Sequence, residues 1–269
     1  MSPSHVLERL EAGLHGVGAL GRETFEVGPF RAYLAASSAY LMSFAVPYGP
    51  DAHLPDPTSR DDAIVALRDL FASRGRRARL EFFAELHPDL ADALTSHGFV
   101  QDAEARVMTL GLAGRRRATD LRSQRRPGAN AAYRRLRADD RPFLTTFLER
   151  QDLAYGGSGQ EGALAWLPQL EFGLRDGSVI GAALMEDGQI VSGGIVQARE
   201  GVGELAGVWT LPSRQRSGLA YALCASLLHD AVAEGLELIW LSAGEGAERL
   251  YEKLGFEPVG TQLNYGLPV

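Results

Sequence analysis

The residues best able to do chemistry are concentrated in one stretch, Glu204–Ala220, ELAGVWTLPSRQRSGLA. It reads as a strand, a proline-marked turn, a short basic loop containing glycine, and the start of a helix. A helix start leaves its first backbone N–H groups outside the hydrogen-bond ladder, and the helix dipole adds positive potential there. The junction therefore predicts an anion site. Other reactive groups offer less. Cys224 is the single cysteine and lies on an apolar helix face, which points to a core thiol rather than a nucleophile. The six histidines show no metal-ligand spacing: His87 and His97 flank one helix and His229 lies on the polar side of another. No metal is expected.

The elements that must position this strip follow from periodicity. In the first half, Val6, Leu7, Leu10 and Leu14 share a helix face, and strands are expected in Thr24–Val46. A helix carries Ile64, Leu67 and Phe71 inward, Arg79–Ala84 is a strand, and Pro88 opens a helix ending at Gly98. Phe99 then starts a returning strand pair that closes near Leu112. The second half restarts with a strand at Ala132. Asp139 and Asp140 cap a helix carrying Phe143, Leu144, Phe147 and Leu148, and a second helix places Leu164, Leu167, Leu170 and Leu174 inward. Three strands follow, joined first by an Asp187-Gly188 hairpin turn. After the strip, the helix from Gly218 carries Leu219, Leu223, Leu227 and Leu228 on a broad apolar stripe, and Leu236–Leu241 is a nearly all-apolar strand. Gly246–Leu254 is a short helix, and Phe256–Leu267 supplies two last strands.

Composition bounds the partners. The chain has 269 residues, 45% apolar and 23% charged, enough for one large or two small domains with real cores. A net charge of -7 argues against nucleic acid, and no stretch is long and apolar enough for a membrane span. With one cysteine and a charged N-terminus, the expectation is a cytoplasmic protein with no membrane partner. A homodimer is left open. Residues 113–130 carry six arginines and one aspartate without apolar period, which reads as a basic linker, or alternatively as a patch for an anionic ligand.

The chain also repeats itself. Leu80–Leu110 and Leu238–Leu267 each run strand, helix, Gly-Phe, strand pair; Met108 matches Tyr265 and Leu110 matches Leu267. Further back, LMSFAVP (Leu41–Pro47) matches AGVWTLP (Ala206–Pro212). The reading is an internal duplication in which the first copy lacks the opening strand and helices, and the glycine-bearing loop.

Residues 132–267 resemble the GNAT (GCN5-related N-acetyltransferase) superfamily, which moves an acyl group from an acyl-CoA to an amine. The resemblance rests on Gln215-Arg-Ser-Gly218-Leu-Ala220, placed between a strand ending at Pro212 and a long helix, and followed by an apolar strand and LYEKLGF (Leu250–Phe256). It implies an α/β (α+β) fold: a mixed, mostly antiparallel sheet flanked by helices, with a truncated second copy. The implied domains are 1–112, a truncated and non-catalytic GNAT-like half; 113–130, the linker; and 131–269, the catalytic domain. The implied function is an N-acetyltransferase using acetyl-CoA as co-substrate on an amine, most readily a small molecule, with peptide or protein amines and other acyl or aminoacyl donors open. The resemblance also distributes roles. Gln215, Arg216, Ser217, Gly218, Leu219 and Ala220 would cradle the pyrophosphate, with Arg214 adding charge, and the backbone of Val208, Trp209 and Thr210 would pair with the pantetheine arm. Glu204, eleven residues before Gln215, would be the general base, on a face shared with Ala206, Val208 and Thr210. Tyr251 would be the acid that protonates the departing thiolate. Bland readings stand beside both: Glu204 fits a strand-end glutamate, and Tyr251 completes an ordinary helix face with Ala247, Leu250 and Leu254. One departure is Gly244, where many members carry Asn seven residues before the tyrosine. Tyr155 and the following Gly156-Gly157-Ser158-Gly159 are expected to line the acceptor site.

Overall fold

The computed structural model describes residues 2–37, 39–48, 57–112, 131–157, 159 and 161–268, so the basic linker at 113–130 lies outside the described residues. In chain order the elements are α1 (Pro3–Gly18), β1 (Glu23–Val27), β2 (Phe30–Leu34), β3 (Phe44–Pro47), α2 (Pro57–Ser73), β4 (Arg79–Phe83), α3 (Leu90–Ser96) and β5 (Val100–Gly111). They continue with β6 (Ala132–Arg135), α4 (Arg141–Ala154), α5 (Glu161–Asp176), β7 (Val179–Glu186), β8 (Gln189–Arg199) and β9 (Val202–Thr210). Last come α6 (Leu219–Ala233), β10 (Leu238–Ala243), α7 (Glu248–Lys253) and β11 (Glu257–Gly266). The chain forms two compact units: Met1–Met108 with Ser242–Glu245 and Pro258–Val269, and Thr109–Leu241 with Gly246–Glu257.

In the first unit the strand order is β1-β2-β3-β4-β11-β5. β3 and β4 are parallel, with Ala45 opposite Leu80, and β4 and β11 are antiparallel, with Phe82 opposite Leu263. The core gathers Phe30, Ile64, Leu67, Phe71, Phe82, Leu94 and Phe99 around Leu263 and Tyr265. Thus the chain's last strand is part of the first unit's core, and not a continuation of the second. Phe99–Leu112 and Phe256–Leu267 are each one long strand rather than the expected pair. Val100–Gly111 and Glu257–Gly266 each run on as one continuous strand, so the chain does not turn. Gly260, the obvious break in β11, is there for close approach: a Cβ would come within 2.7 Å of the Glu85 carboxylate and 3.0 Å of Leu7. β5 leaves the first unit after Met108, and just beyond its end Leu112 N–H donates to Glu237 O at 2.7 Å.

The second unit orders its strands β10-β9-β8-β7-β6. Asp187 and Gly188 take φ of 48° and 76°, as a tight β7–β8 hairpin requires. Asp140 caps α4 through Phe143 N–H. One side of the sheet packs α4 and α5 through Leu144, Phe147, Leu148, Leu167, Leu170 and Trp209. Leu164 does not join them and is 55% exposed. At 100° per residue it lies roughly 60° or more around α5 from Leu167, Leu170 and Leu174.

Candidate active site

β9 is built to diverge. It pairs in parallel with β10 only through Val202, Gly203 and Glu204, opposite Leu238, Ile239 and Trp240. Its pairing with β8 is interrupted by an extra residue, with Ala206 opposite Ile195 but Trp209 opposite Gly193. Gly207 supplies the kink at φ 57°, where a Cβ would also meet Gln151 Nε2 at 2.5 Å. The bulge corrects the expected alternation. Glu204, Ala206 and Trp209 share one face, where Trp209 packs edge-on against Phe147 of α4. Val208 and Thr210 share the other: Val208 lies beside Gly194 and Leu227 of α6, and the Thr210 hydroxyl is 2.9 Å from that of Ser192. Gly193 makes room for the buried Trp209 indole, since a Cβ there would sit 2.8 Å from it.

The strand runs through a short 3-10 turn, Pro212–Arg214, into the loop and α6. Gly218 caps α6 at φ 87° with no side-chain contribution, and Arg216 is also left-handed at φ 59°. The helical ladder opens with Ala222 N–H donating to Gly218 O at 3.1 Å, so the N–H groups of Gly218, Leu219 and Ala220 precede it. Gln215 and Ser217 turn inward to the loop itself: Gln215 Nε2 reaches Thr210 O and Ser217 Oγ donates to Arg214 O. Arg214 is not a spare charge. It pairs with the largely buried Glu186 at the end of β7, which leaves Arg216 as the loop's more available cation.

Tyr251 is buried at the end of α7, its ring edge-on to Phe256 at 5.9 Å. Burial, then the neighbouring Cys224 and Tyr155, push its phenol well above the usual tyrosine value. It holds its proton throughout the neutral range. Cys224 is fully buried and its thiol is pushed up to about 12 by burial, as a core thiol should be. The Tyr155 hydroxyl belongs to the same neighbourhood. It donates to Val208 O at 2.9 Å and is itself pushed up to about 12, by burial first and then by Cys224, although 62% of the residue is exposed. Gln151 donates to the adjacent carbonyl, Gly207 O, at 3.0 Å. Tyr251 and the Val208–Thr210 strip are thus brought together through Tyr155, while Glu204, half-buried, lies across β9 on the α4 face. Sequence reading missed the bulge, Gln151 and Glu186. Only the bulge left a trace, a glycine within an apolar strand.

A bulged strand that parts from β10 after Glu204 thus feeds a glycine-capped helix. Residues 132–256 match the model of the acetyltransferase (GNAT) family. A GCN5-related N-acetyltransferase from Kribbella flavida superposes with a TM-score of 0.78 at 25% identity, over 98% of this chain and 96% of that one. Two others share the fold. A GCN5-related N-acetyltransferase from Sphaerobacter thermophilus gives a TM-score of 0.62 at 15% identity, over 88% and 76% of the two chains. A tandem GNAT protein from the clavulanic acid biosynthesis pathway gives 0.63 at 14%, over 88% and 77%. No curated protein matches in sequence. Residues 132–256 belong to the acetyltransferase (GNAT) family, the fold is mixed, mostly antiparallel α/β, and the family supports an acyl-CoA-dependent acyltransferase.

Proposed function

We propose that the chain is an acetyl-CoA-dependent N-acetyltransferase in which an amine attacks the donor directly within a ternary complex. The observation that carries this reading is the continuity of the open β9 edge with the Gly218-capped start of α6, beside a phenol that keeps its proton. These residues fit an acyl-CoA. The N–H groups of Gly218, Leu219 and Ala220 and the Arg216 guanidinium suit a pyrophosphate, and the backbone of Val208, Trp209 and Thr210 suits an amide-bearing arm. The donor supplies the thioester. Glu204 takes the proton an alkyl ammonium must lose before its nitrogen can attack the carbonyl carbon. As the carbon–sulfur bond breaks, Tyr251 gives its proton to the leaving sulfur.

One site of this kind is proposed, in the second unit. In the first copy, the Gly98-Phe99 turn repeats Gly255-Phe256: Phe99 N–H donates to Leu94 O and Phe256 N–H to Tyr251 O, both at 3.0 Å. Leu94 therefore stands where Tyr251 does. The carbonyl matching Gly207 is that of Met42, which accepts the Arg22 guanidinium at 2.7 Å, and that guanidinium also reaches Val17 O, Gly18 O and Leu20 O. A first copy with leucine at the position of the proposed acid supports a non-catalytic role for it. The acidic net charge favours a cationic small amine as acceptor. The test is acetyl-CoA calorimetry with wild type and Gly218→Glu, followed by CoA release across an amine panel. Binding that Gly218→Glu abolishes, with turnover on an amine, is the expected result; a wild type that binds no acetyl-CoA ends the proposal.

A further inference from the structure

The edge of β9 that would receive an acyl donor already has an occupant from its own chain. Gly207 and Val208, the two residues of the bulge, have no partner in register on β8. Both of their carbonyls are taken from α4: Gly207 O by Gln151 Nε2 at 3.0 Å and Val208 O by the Tyr155 hydroxyl at 2.9 Å. The two contacts differ in kind. Gln151 lies directly against the left-handed Gly207, where a Cβ would meet its Nε2 at 2.5 Å. Tyr155 lies at the C-cap of α4 with 62% of the residue exposed, and its hydroxyl on Val208 O is the side-chain contact that reaches β9. Nor does the following loop depend on it. Asp152 holds the loop, accepting Gly157 N–H on its backbone carbonyl at 2.9 Å and Gly159 N–H on its carboxylate at 2.7 Å.

Resting on the donor reading above, we infer that Tyr155 is a positioning residue of the donor strip. Its hydroxyl holds Val208 O until an amide N–H of the acyl donor's arm takes that carbonyl, so Tyr155 sets donor affinity rather than lining the acceptor site. A bond that must be given up before the donor can pair reduces apparent affinity to the fraction of molecules in which it is already released. Exchange of one neutral hydrogen bond corresponds to about three- to tenfold in binding.

The experiment is titration calorimetry of free CoA into wild type and Tyr155→Phe, with thermal melts of both. Tyr155→Phe keeps the ring and removes only the competing donor. The expected result is binding about three- to tenfold tighter in the variant, with the melt unchanged. A residue that merely supported the fold would lose affinity instead, so the sign decides. Wild type that binds CoA with equal or weaker binding in Tyr155→Phe overturns the inference alone. Wild type that fails to bind overturns the donor reading and this inference with it. If the melt shows Tyr155→Phe to be destabilised, the same titration with Tyr155→Leu decides by the same sign.

Discussion

At the residue scale, two tyrosines 96 positions apart in the chain end up in one electrostatic neighbourhood, and they are assigned different work. Tyr251 is the buried phenol, its pKa raised by burial, so it carries its proton at neutral pH. Tyr251→Phe is expected to lower kcat at least about tenfold while CoA binding, followed by calorimetry, is retained. Unchanged turnover would return Tyr251 to the core face it shares with Leu254. Glu204→Gln is expected to lower kcat/KM on an alkylamine by about 10² or more at neutral pH, with partial recovery as the amine deprotonates at higher pH. A loss independent of pH would speak against a base. The histidines and Cys224 enter neither scheme.

At the element scale, the decisive object is the bulge in β9. Without the extra residue at Gly207, Glu204 and Val208 would lie on one face. With it, the base faces α4 and the donor strip faces α6. Gly207→Ala tests this element. A left-handed alanine costs about 1–2 kcal/mol, and its Cβ would also displace Gln151. Urea unfolding should show a loss of at least that size, accompanied by weaker CoA binding. A neutral substitution would mean that the kink is not required.

At the scale of the whole molecule, the chain's ends are not interchangeable with its domains. β11 closes the core of the first unit through Leu263 and Tyr265, so a chain stopped after Phe256 is expected to lose cooperative unfolding of that unit, seen in near-UV dichroism. A native-like spectrum would refute the assignment. Alkaline stability is also a property of the whole chain. Tyr33, Tyr40 and Tyr155 are each pushed up to about 12, chiefly by burial, and Tyr251 is pushed up further. Unfolded phenols ionise near pH 10, whereas these hold their protons in the folded state. Stability from this source is therefore fully present below about pH 10 and is lost as pH rises toward 12. Urea midpoints measured across that range should fall; a flat profile would show that the phenols are not sheltered.

Local patterns were sufficient for much of this. The helix from Gly218 was legible because a glycine before an apolar stripe has few other readings, and the Asp187-Gly188 hairpin because both residues tolerate positive φ. The repeat of Gly98-Phe99 in Gly255-Phe256 was legible because both close a helix with the same hydrogen bond. What only the tertiary structure decided is everything that depends on which strand meets which. The path of β11 into the first unit, the pairing of Arg214 with Glu186, and the hold of Tyr155 on Val208 O join residues far apart in sequence. A strand's side-chain alternation is local, but its partner is chosen by the core it completes. The face presented by Glu204 depends on one residue inserted against β8, a misalignment that exists only once the two strands are paired.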